Sequence, residues 1–204
     1  LAAERTLSHS ILPNGWDSDD FSDVDDQESE HFTILHSGNL NVTQNPEVLL
    51  KTVRKLLNEE PENYRNVRIR FIGRVHPVIR EVVNSLHLEN HTEFHPYMTH
   101  QSIIGEMCRA GLLFSVIPLV PDNKGIVMSK NFEYMGTGRP ILIIGPVDSD
   151  IGQIISEFSN SIICNYDDET RCEKFLRTTI KNWRNKTEKP PDSAIRQKYS
   201  RKEI

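Results

Sequence analysis

Three things are scarce or missing in this 204-residue chain, and each closes off a class of answer. The first is cysteine: Cys108, Cys164 and Cys172 are few, odd in number and scattered, with no C-x-x-C spacing. Such a set builds neither a disulfide framework nor a structural zinc site, and it fits reduced thiols in a cytoplasmic setting. The second is the long apolar run. None approaches the ~18 residues of a membrane-crossing helix, and no basic start followed by an apolar stretch marks a signal peptide. The expectation is a soluble domain. The third is the familiar catalytic signature: no G-x-S-x-G, H-E-x-x-H or Walker-type loop occurs, so hydrolase, zincin and P-loop readings have no footing. Internal repeats are absent too. Three N-x-S/T sequons, at Asn41, Asn90 and Asn185, are short enough to arise by chance without a leader sequence.

What is present points to one α/β domain. The length suits a single core that needs no disulfide or metal staple. The apolar residues, 37% of the chain, are gathered into short runs. The formal charge of −5 is unevenly spread, because residues 17–30 hold eight acids and no Lys or Arg. The remainder from residue 31 onward sums to +3, which accommodates a phosphate-bearing ligand but falls short of a nucleic-acid-binding surface. Residues 1–30 therefore read as a linker and acidic connector, and residues 31–204 as the folded domain. The chain opens on Leu1 rather than Met, which suggests a cut or processed end.

From His31 onward strands and helices alternate. Apolar runs predict strands at 32–36, 67–72, 92–95, 111–117, 141–144 and 161–164. Helical spacing predicts helices after Pro46 and at 78–86, 103–109, 127–135, 151–158 and 169–183. Gly136 and Gly138 are read as closing the helix at 127–135, with Pro140 opening the next strand. Continuously apolar strands are what a parallel sheet covered on both faces requires. The fold class is thus a doubly wound, mostly parallel, Rossmann-like sheet of about six strands with helices on both faces.

In such a sheet a ligand sits outside the carboxyl ends of the strands. At the first strand end, His36-Ser37-Gly38-Asn39, Gly38 would let the backbone approach a phosphate, although an ordinary tight turn explains this tetrapeptide at least as well. At the second, Arg74 could pair with a diphosphate through its planar fork, or lie along the surface on its stem. The third, Gly125 to Pro140, is more specific. Ser129 and Lys130 fall at a helix start, where open N–H groups and the dipole favour an anion. Glu133 follows one turn later, suited to binding vicinal hydroxyls or to compensating the dipole. The histidines His87, His91, His95 and His100 look like a metal cluster, but the break from helix to strand between them destroys a shared face; no metal site is expected. Lys and Arg on the 169–183 helix read as a solvated face, which in a longer enzyme could also meet a membrane surface.

The segment from Ser129 to Pro140 resembles the SK-x-F-EY-x-x-x-G-x-P signature of family 4 retaining glycosyltransferases of two-domain GT-B fold. Residues 11–21, ILPNGWDSDDF, are similar to the linker that leads from the acceptor domain into the donor domain of such enzymes. HSGNL, RIRFIG and the passage from Thr92 to Pro118 follow in the family's order. The resemblance spans residues 11–183. It implies a donor-binding domain whose catalytic cations are Lys130 and Arg74, with Gly38, Tyr97, Ser129, Lys130 and Glu133 around a nucleotide-diphosphate sugar. Glu133 would hold the ribose, Ser129 and Lys130 the phosphates, and the base would rest near His95 to Tyr97. It implies further a partner N-terminal acceptor domain, no metal cofactor, a role in surface polysaccharide or glycoconjugate synthesis, and a place in the cytoplasm or at the cytoplasmic face of a membrane. Two departures stand out. Gly125 occupies the position, eight before Glu133, where many members carry a sugar-contacting acid, and the loop 39–45 has no Arg or Lys. Lys124 would then share in neutralising the phosphates. The alternatives are a non-catalytic sugar-nucleotide-binding or scaffolding module, fed by Gly125, and a flavodoxin-like interaction domain.

Overall fold

A computed structural model describes residues 14–22 and 29–204. Residues 1–13 and 23–28, which include the start of the linker-like motif and half of the acids in the acidic connector, lie outside the described residues. The chain forms β1 (Phe32–Ser37), α1 (Glu47–Glu59), α2 (Pro61–Tyr64), β2 (Val67–Ile72), α3 (Pro77–Ser85), β3 (Thr92–His95), α4 (His100–Arg109) and β4 (Leu112–Val116). It continues with α5 (Ser129–Thr137), β5 (Ile141–Ile144), α6 (Asp150–Ser156), β6 (Ile162–Cys164), α7 (Glu169–Arg184) and α8 (Ser193–Lys198).

All six strands pair in parallel, in the order β3-β2-β1-β4-β5-β6. β1, β4 and β5 are buried along their whole length because helices cover both faces. One face packs α1, α2, α3 and α7 onto Phe32, Ile34, Phe71 and Phe114. The other packs α4, α5 and α6 onto Leu35, Leu113, Ile141 and Ile143. β2 alternates instead: its Arg70 reaches Glu93 Oε2 at 2.7 Å and Glu106 Oε2 at 2.5 Å.

The order reverses at β1, with β2 and β3 laid down on one side and β4 to β6 on the other. The loops leaving β1 and β4 therefore diverge and open a crevice between their carboxyl ends. Two bonds tie these loops at its floor: Leu119 N donates to Thr43 O at 2.8 Å, and Gln44 Nε2 donates to Val116 O at 2.9 Å.

Two local readings need correction. α5 begins at Ser129 rather than two residues earlier, because Met128 is extended (φ −83°, ψ 138°). Gly136 does not end the helix. It lies within α5, where a Cβ would stand 2.8 Å from Phe21 and 2.9 Å from Trp16, so glycine serves close packing there. Gly138, at φ +72°, makes the left-handed cap.

Residues 14–22 lie against this same face. Trp16 is buried, its N donates to Tyr199 O at 3.1 Å, and its O accepts from Arg201 N at 2.8 Å. Its Nε1 donates to Arg196 O at 3.0 Å, and its ring meets Phe21 edge-on at 5.6 Å. The segment at 14–22 and the C-terminal segment thus clamp together over α5. Trp16→Ala is expected to cost about 3–5 kcal/mol of stability in urea denaturation, the range for large-to-small changes of buried aromatics; a loss under about 1 kcal/mol would show that the clamp is incidental.

Candidate nucleotide-binding crevice

The crevice is organised around the side chain of Lys130, the second residue of α5. Its Nζ donates to Ser37 O at 2.8 Å and lies 3.2 Å from His36 Nε2. His36 is fully buried on β1, and its Nδ1 lies 3.1 Å from Phe114 O. A carbonyl only accepts, so Nδ1 carries the ring proton, and Nε2 is left to accept from the ammonium. Burial, reinforced by the Lys130 charge, holds the His36 pKa well below its usual value, which keeps this imidazole neutral. The ammonium is itself penalised: burial lowers the Lys130 pKa to about 8, against the opposing pull of Glu133.

Two of the three N–H donors of Lys130 are thereby engaged with β1. Immediately above lies Gly38, at φ +95°, where a Cβ would stand 3.1 Å from Nζ. Any other residue would be strained in its backbone and would crowd the ammonium. The neighbouring turn is as tight, since a Cβ on Gly73 would come within 2.6 Å of Gly38 O. Tyr134, buried on α5, fixes the same strand end: its hydroxyl accepts from Ser37 N at 2.9 Å, and burial pushes its pKa up to about 12.

The start of α5 is open. Side chains cap α3, α4, α6 and α7, through His76, Thr99, Ser149 and Asp168, whereas Met128 gives α5 no side-chain cap. The N–H groups of Ser129 and Lys130 therefore lie at the positive end of the helix dipole toward the crevice, while Asn131 N donates to Met128 O at 3.0 Å. Ser129 is exposed at this end, and its Oγ accepts from Asn14 Nδ2 at 2.8 Å. Glu133, one turn on, is half-buried. Burial raises its pKa, opposed first by His100, while Asp20 adds to the rise and Lys130 and Arg201 act against it.

The other expected residues are more peripheral. Tyr97 is 61% exposed, and its hydroxyl donates to Asn39 Oδ1 beside Gly38, so its ring stands at the rim of the crevice. Arg74 is exposed on the turn after β2, where its O accepts from Leu40 N at 2.9 Å. Lys124 is engaged elsewhere, with Asp148 Oδ2 at 2.5 Å. The histidines go to separate partners: His91 Nδ1 to Val67 O at 3.0 Å, His95 to Glu93 at 3.2 Å and His100 to Asp20 at 3.2 Å. Among the described residues no group of three or more His, Cys, Asp or Glu is placed to hold a metal, and no helix is long and apolar enough to cross a membrane.

Sequence reasoning did not single out His36 as the partner of Lys130, nor Tyr134 and Asn14. A histidine closing an apolar strand is the signal that was available.

No protein-family model matches the sequence, and no curated protein is similar to it in sequence. Solved structures do share the fold. A point mutant of TarM of S. aureus, in complex with fondaparinux, α-GlcNAc-glycerol and UDP, superposes with a TM-score of 0.64 at 13% identity, covering 87% of this chain and 34% of that one. HepE of Anabaena, in complex with UDP and glucose, gives 0.63 at 12% identity, covering 94% and 53%. The pneumococcal O-GlcNAc transferase GtfA, in complex with UDP and GlcNAc, gives 0.61 at 12% identity, covering 88% and 35%. The chain spans about a third to a half of the length of these structures. Its six-stranded parallel sheet is a Rossmann-like half-domain of the kind found in GT-B glycosyltransferases.

Proposed function

We propose that this chain is the donor-binding half of a retaining, family 4-like glycosyltransferase, which transfers a sugar from a nucleotide diphosphate to an acceptor held by a further domain. The observation that carries the reading is the set Gly38, Lys130 and the uncapped start of α5 at the reversal point of the sheet. Two sources of positive potential converge there: an ammonium, and a helix end with its open backbone N–H groups. Their natural complement is a diphosphate. The structural neighbours crystallised with UDP make a uridine nucleotide the first candidate.

In this reading the chain's work is to stabilise the departing diphosphate. Lys130 is held in place by Ser37 and neutral His36 before the substrate arrives, so little reorganisation accompanies the developing charge. Glu133 accepts from the ribose hydroxyls, Tyr97 offers a ring to the base, and Arg74 supplies a second cation from the opposite shoulder. These groups neutralise the diphosphate without a metal. The acceptor domain, a role in surface polysaccharide or glycoconjugate synthesis, and a location in the cytoplasm or at the inner face of a membrane belong to the same proposal. One observation favours a second reading, a binding module without transfer activity. Gly125 leaves open space, since a Cβ there would meet only Asp150 Oδ2 at 3.9 Å, so position 125 offers a transferred sugar no side chain.

Calorimetric titration with UDP, GDP and ADP tests the donor site. One nucleotide should bind, and Glu133→Ala and Lys130→Met should each weaken it by tenfold or more, about 1.4 kcal/mol or above. Unchanged binding in both variants would place the site elsewhere. Sugar transfer or donor hydrolysis by the chain joined to its acceptor domain separates the enzyme from the binding module.

Affinity should also depend on pH. The diphosphate favours the charged ammonium, whose pKa in the free chain is about 8 and whose charged neighbour is Glu133, His36 and Tyr134 being neutral. Between pH 7 and pH 9 the charged fraction falls about tenfold, and nucleotide affinity should fall with it. Lys130→Met should flatten this profile; an equally steep profile in the variant would assign the proton to another group.

A further inference from the structure

At the opposite end of the sheet, the loops entering β5 and β6, the end of α5, one flank of α7, residues 187–190 and Arg196 of α8 enclose a cleft of about 890 Å³. That lies within the roughly 300–1,000 Å³ typical of small-molecule sites. It is separate from the crevice, which lies beyond the carboxyl ends of the strands.

The cleft has an unanswered donor. Arg196 lines it from α8, and its Nε is buried without a hydrogen-bond partner. The guanidinium carbon lies 5.1 Å from the Trp16 ring, which holds the group in place without offering it an acceptor. Its Nη1 stands 3.7 Å from where a Cβ on Gly138 would lie, so the absence of a side chain at Gly138 keeps this side open. Burial lowers the Arg196 pKa, as expected of a cation with no carboxylate bonded to it. Buried donors in folded proteins nearly always have partners, and an orphan of this kind points to a missing acceptor.

The rest of the lining describes that acceptor. Arg139 and Lys189 add two further cations, and among the described residues Glu188 is the one carboxylate, leaving the cleft with a net charge of +2. Arg139 spends its Nε on Cys108 O at 2.5 Å. Burial raises the pKa of Glu188, with Arg139 opposing. Beside these groups the wall is apolar, with Phe175 of α7 and Ile162 of β6. A head with two or three oxygens and close to two negative charges matches the cations, and an apolar body matches the wall.

We propose that this cleft is a second ligand site, for a phosphate monoester bearing an apolar group, anchored through the fork of Arg196. The head accepts from Nε and one Nη of Arg196, Lys189 supplies a point charge at the rim, and the body lies along Phe175 and Ile162. Carbohydrate or nucleotide phosphates, which lack an apolar body, fit it less well.

Titration calorimetry of the chain with hexyl phosphate and with inorganic phosphate tests this. Hexyl phosphate should bind at least tenfold more tightly than inorganic phosphate. Arg196→Lys, which keeps the charge and loses the fork, should weaken it about tenfold. Lys189→Glu, an exposed change that leaves the packing intact, should weaken it by threefold or more and serves if the Arg196 variant fails to fold. Glu133→Ala, in the distant crevice, should change nothing. No binding, equal binding of the two phosphates, loss in Glu133→Ala, or wild-type affinity in Lys189→Glu would each overturn the proposal.

Discussion

An ammonium group drawn down from the start of α5 onto the carboxyl end of β1 is the interaction around which this molecule is arranged. Lys130 Nζ reaches Ser37 O and His36 Nε2, and in doing so links residues more than ninety positions apart in sequence. Holding a cation there is costly, because burial opposes the charge, and the fold offsets that cost with fixed acceptors. The imidazole must be neutral and in one tautomer, which Phe114 O enforces from β4. The strand end must not move, which Tyr134 enforces through Ser37 N. Position 38 must carry no side chain. Each condition is supplied by a different element, so the group can be in place only when β1, β4 and α5 are assembled together.

The remaining architecture serves that assembly. The reversal of strand order at β1 puts β1 and β4 side by side, and two apolar cores, one on each face, fix the sheet between its helices. α5 is held from its outer side by Trp16 and Phe21, which pack against the bare backbone of Gly136, and Trp16 is in turn clamped by Tyr199 and Arg201. Segments that look peripheral in sequence therefore steady the helix that carries Lys130 and Glu133. Asn14, in the same segment, reaches Ser129 at the mouth of the crevice.

The sheet was legible because covered parallel strands are continuous apolar runs: Ile141–Ile144 has no polar residue to disguise it. The long helices were legible through their spacing, α7 ending within one residue of its expected limit. Elements decided by distant partners were not. α8 has six residues and no apolar stripe of its own, so nothing local announces it. Gly136 reads as a helix stop until Trp16, 120 positions earlier, is found against it. Val127 and Met128 continue the apolar pattern of α5 yet lie in the extended approach to it. At the site, the segment from Ser129 to Glu133 stood out in sequence because its residues are neighbours in the chain. The contact of Lys130 with Gly38, the neutral state of His36 and the engagement of Lys124 by Asp148 are products of tertiary packing, and no spacing rule encodes them.

The most direct test is to titrate the Lys130 side chain itself by NMR, with selective labelling, in the free chain and at saturating UDP. Its pKa should be about 8 in the free chain and should move upward by a unit or more when the diphosphate is bound. A lysine that titrates at its ordinary value in the free chain would contradict the buried ammonium. A pKa of about 8 that does not move when UDP is bound would show that the nucleotide lies elsewhere.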